Sequence, residues 1–245
     1  MFEVGAAALA AGAVNAVAGG GSLITYPVLV AVGLSPVTAS VTNTVAMCPG
    51  YLGATLAQRR DLEGQGPRAA RLLPVGAACG AAGAGLLLRT GEHAFAVIVP
   101  FLILIAALLV AAQDRLRRWI TTRDRAAHAE AWAVVPIGLA AVYGGYFGAG
   151  MGVMVLAALG VVLPDSLLRI NALKQSISLV VNVAAALVFL AWGPIDWAIT
   201  VVMAGCALVG GALGGVLSAH VPVRVLRFLI VGLGLTVASV YLARL

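Results

Sequence analysis

Long apolar runs separated by short polar interruptions occupy almost the whole chain, at roughly 2–33, 36–57, 69–88, 93–112, 131–163, 166–192, 196–218 and 223–243. A helix that crosses a bilayer needs about 20 residues, so six of these runs fit one crossing each. The runs 2–33 and 131–163 are too long for a single straight span. Each is interrupted by glycine: Gly19-Gly20-Gly21 in the first, and Gly144-Gly145 through Gly148, Gly150 and Gly152 in the second. Clustered glycines make a continuous helix costly, at about 1 kcal/mol each relative to Ala. Both long runs are therefore expected to be two half-helices joined by glycine-rich backbone inside the membrane.

The pattern then repeats. Gly19-Gly20-Gly21 corresponds to Gly148-Ala149-Gly150, and each cluster is followed by a proline, Pro36 and Pro164. Seven residues beyond each proline stands an asparagine, Asn43 and Asn171. Gly76 and Gly80 in the third run are echoed by Gly210, Gly211, Gly214 and Gly215 in the seventh, spacings that let helix backbones approach closely. The expected division is a first membrane repeat at 1–112, a basic linker at 113–130 and a second membrane repeat at 131–245.

Composition narrows the class. Of 245 residues, 62% are hydrophobic and 10% charged, against about 25% charged in soluble domains. A water-soluble enzyme or nucleic-acid-binding module does not fit, although the formal net charge is +6. The basic residues gather at Arg59, Arg60, Arg68 and Arg71, and again at Arg115, Arg117, Arg118, Arg123 and Arg125. Clusters of this kind mark loops facing the cytoplasm and an anionic leaflet. A third cluster, His220, Arg224 and Arg227, falls on the same side only if each glycine-broken run enters and leaves on one face. Both termini and the turn Gly193-Pro194-Ile195-Asp196 then lie outside, with Arg244 counting against that count, and the second repeat is inverted relative to the first. Met1-Phe2-Glu3 carries no positive stretch before the apolar run, so a cleaved signal peptide is not expected. Cys48, Cys79 and Cys206 lie far apart in apolar runs and suit neither a disulfide framework nor a zinc site.

The candidate chemistry is polar and sparse. Broken helices in inverted repeats are the usual setting of a transporter's midplane site, where half-helix N-termini favour an anion. On this reading the glycines Gly19, Gly20, Gly21, Gly148 and Gly150, with Ser22, face the substrate. The alternative is a packing kink without a ligand. In the sixth run Asn171, Gln175, Ser178 and Asn182 share one helical face. Lys174, the only lysine in the chain, stands beside them. An ammonium inside the membrane costs at least about 2.5 kcal/mol, so Lys174 either faces a compensating anion or snorkels to the interface. The matching stripe in the second run is Thr38, Thr42, Asn43 and Met47, which makes one repeat chemically richer than the other. Enzyme signatures are poor: His220 beside Pro222 is a weak partner for Ser22, and no HExxH or Walker sequence occurs. His93 and His128 fall in loops. No catalytic residue, metal site or cofactor is expected. The carboxylates all lie in or near loops or segment ends, so nothing acidic remains for a midplane proton relay.

Asn15-Ala16-Val17-Ala18-Gly19-Gly20-Gly21-Ser22-Leu23-Ile24-Thr25-Tyr26-Pro27, followed by Gly33-Leu34-Ser35-Pro36 and Thr42-Asn43, resembles the opening motif of the TauE/SafE sulfite exporter family. Gly145-Tyr146-Phe147-Gly148-Ala149-Gly150-Met151-Gly152 through Gly193-Pro194-Ile195-Asp196-Trp197 is similar to that family's second motif. Met151 stands where a glycine is common, and Leu156 where the first repeat has Pro27. The resemblance implies an inner-membrane permease for sulfite, organosulfonates or related small anions.

The expectation is thus an all-α integral membrane protein of two inverted repeats, each a glycine-broken hairpin plus three transmembrane helices. Its partners are the bilayer and a small anionic substrate, not nucleic acid. Asn43, Asn171, Gln175 and Ser178 with the glycine nests would bind the anion's oxygens, Lys174 supplying charge, and export would be driven by the membrane potential. An anion channel is the alternative; an intramembrane hydrolase is a distant third.

Overall fold

Both long apolar runs are broken where the glycines stand. The computed structural model describes residues 1–17, 19–122, 133–163 and 165–217, with 231, 232, 235, 236 and 239. Helix α1 (Phe2–Val17) ends just before the first glycine cluster and α2 (Ser22–Ala31) starts just after it. In the second run α6 (Val134–Tyr146) gives way to α7 (Met151–Val162) across Phe147–Gly150. Between and after them lie α3 (Pro36–Ala57), a 3-10 turn (Arg59–Leu62), α4 (Gly66–Thr90), α5 (Glu92–Thr122), α8 (Leu167–Trp192) and α9 (Trp197–Leu217). The described residues form helices and turns and contain no strand. Pro164, Arg123, Arg125, His128, the cluster His220, Arg224 and Arg227, the run 223–243 as a segment, and Arg244 lie outside the described residues.

Local chemistry sets the boundaries. Ser35 and Ser166 cap α3 and α8, their hydroxyls accepting from the backbone N–H of Thr38 and Arg169 at 3.4 Å each, and Pro36 fills the first turn of α3. Helix α4 begins three residues before the apolar run, so Arg68 and Arg71 stand on a helix and not in a loop. Helix α5 continues ten residues past 112 into the expected linker: the apolar stretch ends there, but Gln, Arg and Leu still favour helix.

Four described helices are long and apolar enough to cross a membrane: α4, the Glu92–Ala112 part of α5, α8 and α9. Helix α3, expected to be one of the six single crossings, has the length but is not among them. Its buried face carries Ser40, Thr42, Asn43 and Thr44, which lowers its mean hydropathy. Large apolar side chains such as Leu139, Leu187, Val201 and Val216 are exposed on the outer surface, while Trp192 and Trp197 flank the turn after α8. In a bilayer that surface meets lipid, and the tryptophans sit at interface level.

Helix directions follow from close contacts. A Cβ placed on Gly5, Gly12 or Gly214 would meet Cys206, Ala207 or Ala13, and one on Gly50 or Gly215 would meet Ala207 or Ala54, so α1, α3 and α9 run parallel. Contacts of Gly76 with Ile177 and Val181, and of Gly138 and Gly83 with Cys79 and Val142, make α4, α6 and α8 parallel to one another. Asn171 meets Gln58 while Gly193 meets Val41, so α8 runs opposite to α3. Consequently α1 and α3 both start at the end where α9 starts, and the hairpin α1–α2 enters and leaves there. An ion pair between Arg68 and Asp165 puts the starts of α4 and α8 at the opposite end, where the hairpin α6–α7 enters and leaves.

The small-residue stripes do the packing expected of them. A Cβ on Gly145 would lie 2.0 Å from the carbonyl oxygen of Gly80, and one on Gly211 the same distance from that of Gly50. These two contacts hold α4 against α6 and α9 against α3.

Candidate functional site

The first break crosses the opening turn of α7, just past the second break, in the interior. A Cβ on Gly19 would stand 2.9 Å from the Cα of Gly152, and one on Gly152 would stand 2.8 Å from the Cα of Gly19. Gly19, Gly148 and Gly150 hold positive φ of 84°, 81° and 77°, a region L side chains avoid. Gly21 is different: its φ of −59° suits any residue, but a Cβ there would lie 2.2 Å from the carbonyl oxygen of Ala11. Both half-helices that leave the breaks, α2 and α7, begin without a side-chain cap. The N–H groups of Leu23 and Ile24 donate to the carbonyls of Gly20 and Gly21, and those of Met151 and Val153 to the carbonyls of Gly148 and Gly150. What each start offers an anion is therefore the positive end of its helix dipole.

Around the first break, polar groups are dense and mostly paired. Asn15, in the last turn of α1, accepts through Oδ1 from the N–H of Gly21 at 2.7 Å. Ser22 opens α2 and accepts from Nδ2 of Asn43 at 3.2 Å, while Thr25 donates to Oδ1 of the same asparagine at 2.5 Å. Asn43 therefore ties α3 to α2.

Helix α8 brings its stripe to this break from the other half of the chain. Asn171 donates to the carbonyl of Ala16 at 3.1 Å and to Oε1 of Gln58 at 2.8 Å. Gln175 and Lys174 both donate to the carbonyl of Asn15, at 3.0 and 3.4 Å. Lys174 is 1% exposed and is the only charged side chain among the buried described residues; it does not snorkel. An ammonium is stabilised there by the carbonyl of Asn15 in the last turn of α1, at the negative end of that helix's dipole. Ser178 and Asn182 continue the stripe one and two turns on, both buried, with Nδ2 of Asn182 donating to the carbonyl of Ser178 at 2.9 Å.

Thus Gly19, Gly20, Gly21, Ser22, Asn43, Asn171, Lys174 and Gln175 gather at or behind the first break, Ser178 follows one turn on along α8, and only Gly148 and Gly150 belong to the second. Three participants did not stand out in the sequence: Asn15, Thr25 and Gln58. Asn15 carried a signal, as the one amide in an otherwise apolar helix. Gln58 borders the apolar run beside Arg59 and Arg60 and read as loop, yet it is 4% exposed.

The second break is apolar. Met151 lies over Gly144, where an added Cβ would be 2.0 Å from its sulfur. Phe147 stacks edge-on against Tyr26 and Phe95, with centroids at 5.3 and 6.3 Å. Its polar contact is the Tyr143 hydroxyl, donating to the carbonyl of Ala149 at 2.7 Å.

At the end where α8 starts, Asp165 joins Arg68 and also Arg169 at 2.9 Å. Partial burial pushes this carboxyl up, but the hydrogen bonds and charges of the two guanidiniums outweigh it and hold it below its ordinary value. Gln65 links the same region, donating to the carbonyls of Asp61 and Arg169 at 2.8 and 3.0 Å. A separate cavity of about 520 Å³ between α3, α4 and α8, lined by apolar residues such as Pro49, Leu52, Ala77 and Leu187, borders neither break. No group of acidic, histidine or cysteine side chains that could hold a metal occurs among the described residues.

Comparison with known proteins agrees with the geometry. The Sulfite exporter TauE/SafE family matches residues 4–242, and the chain belongs to that family. It is 27% identical over 228 residues to the "Probable membrane transporter protein YfcA" of Escherichia coli (strain K12), covering 91% of this chain and 82% of that protein. It is 28% identical over 207 residues to a "Probable membrane transporter protein" of Haemophilus influenzae, covering 82% and 78%. No solved structure matches. The chain is a multi-pass membrane protein of a transporter family.

Proposed function

We propose that this TauE/SafE family member is a secondary transporter that exports a small anion, such as sulfite, an organosulfonate or a related carboxylate, across the inner membrane. The observation that carries the reading is the crossing at Gly19 and Gly152 of two broken hairpins whose outgoing half-helices lack side-chain caps. Buried Lys174 beside the first of them supports a negatively charged solute.

The opposed directions of α1 and α6, α3 and α8, and α4 and α9 support two inverted repeats, 1–112 and 131–245, joined by the linker 113–130. In this reading each hairpin is re-entrant, from opposite faces, and rocking of one repeat against the other alternates access to the crossing. The protein performs no covalent chemistry. None of the described carboxylates is buried, which favours export driven by the membrane potential over proton coupling. That potential is worth about 2.3 kcal/mol per charge per 100 mV.

The test uses purified protein in proteoliposomes loaded with sulfite or methanesulfonate. A potassium-diffusion potential imposed without a proton or sodium gradient should accelerate efflux towards the positive side, with saturation and counterflow. Flux that ignores the potential but follows a pH or sodium gradient would overturn the uncoupled mechanism, and unitary currents would overturn the carrier.

A further inference from the structure

Four buried polar atoms at the first break, and a fifth one turn on along α8, have no partner among the described residues: Nδ2 of Asn15, Nε2 of Gln58, Oδ1 of Asn171 and Oε1 of Gln175, with Oγ of Ser178 beyond them. The side chains that carry them are between 0% and 6% exposed. Buried polar groups are normally paired, and each one left alone is costly. These five therefore point to a guest.

Their hydrogen bonds settle which end of each amide is open. A carbonyl only accepts and an N–H only donates. Gln175 uses its NH2 on the carbonyl of Asn15, and Asn171 uses its own on the carbonyl of Ala16; both expose oxygen. Gln58 turns its oxygen to Asn171, and Asn15 turns its oxygen to the N–H of Gly21; both expose NH2. The break therefore offers two amide donors and two amide acceptors beside the Lys174 ammonium, with a hydroxyl that serves as either one turn further along α8.

We infer that the solute held at the first break carries a hydrogen-bond donor of its own, an N–H or O–H, together with its negative charge; this rests on the anion reading above. A bare anion answers the donors of Asn15 and Gln58 but turns lone pairs towards the oxygens of Gln175 and Asn171. A cation answers those oxygens but meets the ammonium of Lys174. A monoanion with a donor answers both sets. The donor can be a substituent on the anion or an acid proton kept on an oxyanion, and the two sources are separable by experiment.

Apparent affinities of the purified full chain are read from ligand-dependent thermal stabilisation, as choline salts, for two matched pairs. Sulfamate against methanesulfonate compares an amino group with a methyl group on the same anionic head. Phosphate against sulfate near neutral pH compares an oxyanion that keeps a proton with one that does not. In at least one pair the donor-bearing member should bind about tenfold more tightly or better, because a site built for a donor rejects the analogue lacking it. Gln175→Met, which removes one acceptor at similar volume, should bring that ratio within twofold. Equal affinity within both pairs would overturn the inference and leave the anion reading intact, the open atoms then holding water. A ratio that survives in a folded Gln175→Met variant would also overturn it. Binding by no member of either pair, or stabilisation that follows sodium over choline whatever the anion, would overturn the anion reading as well. The wild-type ratio decides the matter even if the variant fails to fold.

Discussion

The two breaks share a backbone plan and differ in what fills it. The register that pairs Gly19 with Gly148 pairs Asn15 with Gly144 and Ser22 with Met151. At the first break an amide and a hydroxyl hold the chain ends by hydrogen bonds. At the second a methionine side chain covers a glycine and an aromatic cluster closes round Phe147. The flanking helices repeat the difference: the register that pairs Asn43 with Asn171 sets Ala46 and Met47 against Lys174 and Gln175. Because α8 reaches across to α1, its polar side chains meet the first hairpin from the other half of the chain. The buried polar groups are therefore concentrated at one of the two breaks.

The harshest way to break the comparison is to separate the breaks. Gly152→Val would drive a side chain into the backbone of Gly19, an overpacking that backbone has little room to relieve, costing about 3 kcal/mol or more. Fluorescence-detected size exclusion should show loss of the monodisperse peak. Gly205→Val, where nothing lies within 4 Å, should run as wild type.

Lys174→Met gives the α8 stripe the apolar character that α3 already has there. Loss of a charge-assisted contact of about 1.5–3 kcal/mol should weaken anion binding roughly tenfold to over a hundredfold, measured by thermal shift at graded anion concentrations. Unchanged affinity would remove the charge from the site.

A sharper contrast comes from exchanging roles between the breaks. Asn15→Ala leaves the Gly21 N–H unsatisfied, and Met151→Ser leaves a hole above Gly144; each should cost about 2 kcal/mol. Both should lower Tm, but only Asn15→Ala should also lower anion affinity. Equal loss of affinity in both would make the two breaks functionally equivalent.

The smallest effect concerns the outer tie at Asp165. Its carboxyl has a lowered folded value, so its contribution to stability is present above the ordinary carboxylate range and is lost as pH falls through that lowered value. For this partly exposed cluster the contribution is below about 1 kcal/mol. Asp165→Asn should lower Tm slightly at pH 7 and not at all at strongly acid pH, by melting curves recorded across pH. A Tm difference that grew on acidification would reverse the sign argued here.

What the residue pattern alone determined is considerable, and the reason is local. Apolar runs and glycine clusters fix where helices start, stop and break, because each of these depends on neighbours a few residues away; the breaks at 19–21 and 147–150 and the one-sided stripe Asn171–Asn182 follow from spacing. The polar face of α3 is equally visible in the sequence, as Ser40, Thr42, Asn43 and Thr44. Contacts between distant segments were not legible. Nothing near Lys174 in the chain says that it rests on the carbonyl of Asn15, since that depends on α8 lying antiparallel to α3 and against α1. Likewise Gln58 reads as a loop residue until the fold buries it against Asn171. Which amide ends are engaged, and which stay open at the first break, is decided only by tertiary structure: each amide has a donor and an acceptor end, and only its neighbours in space select between them.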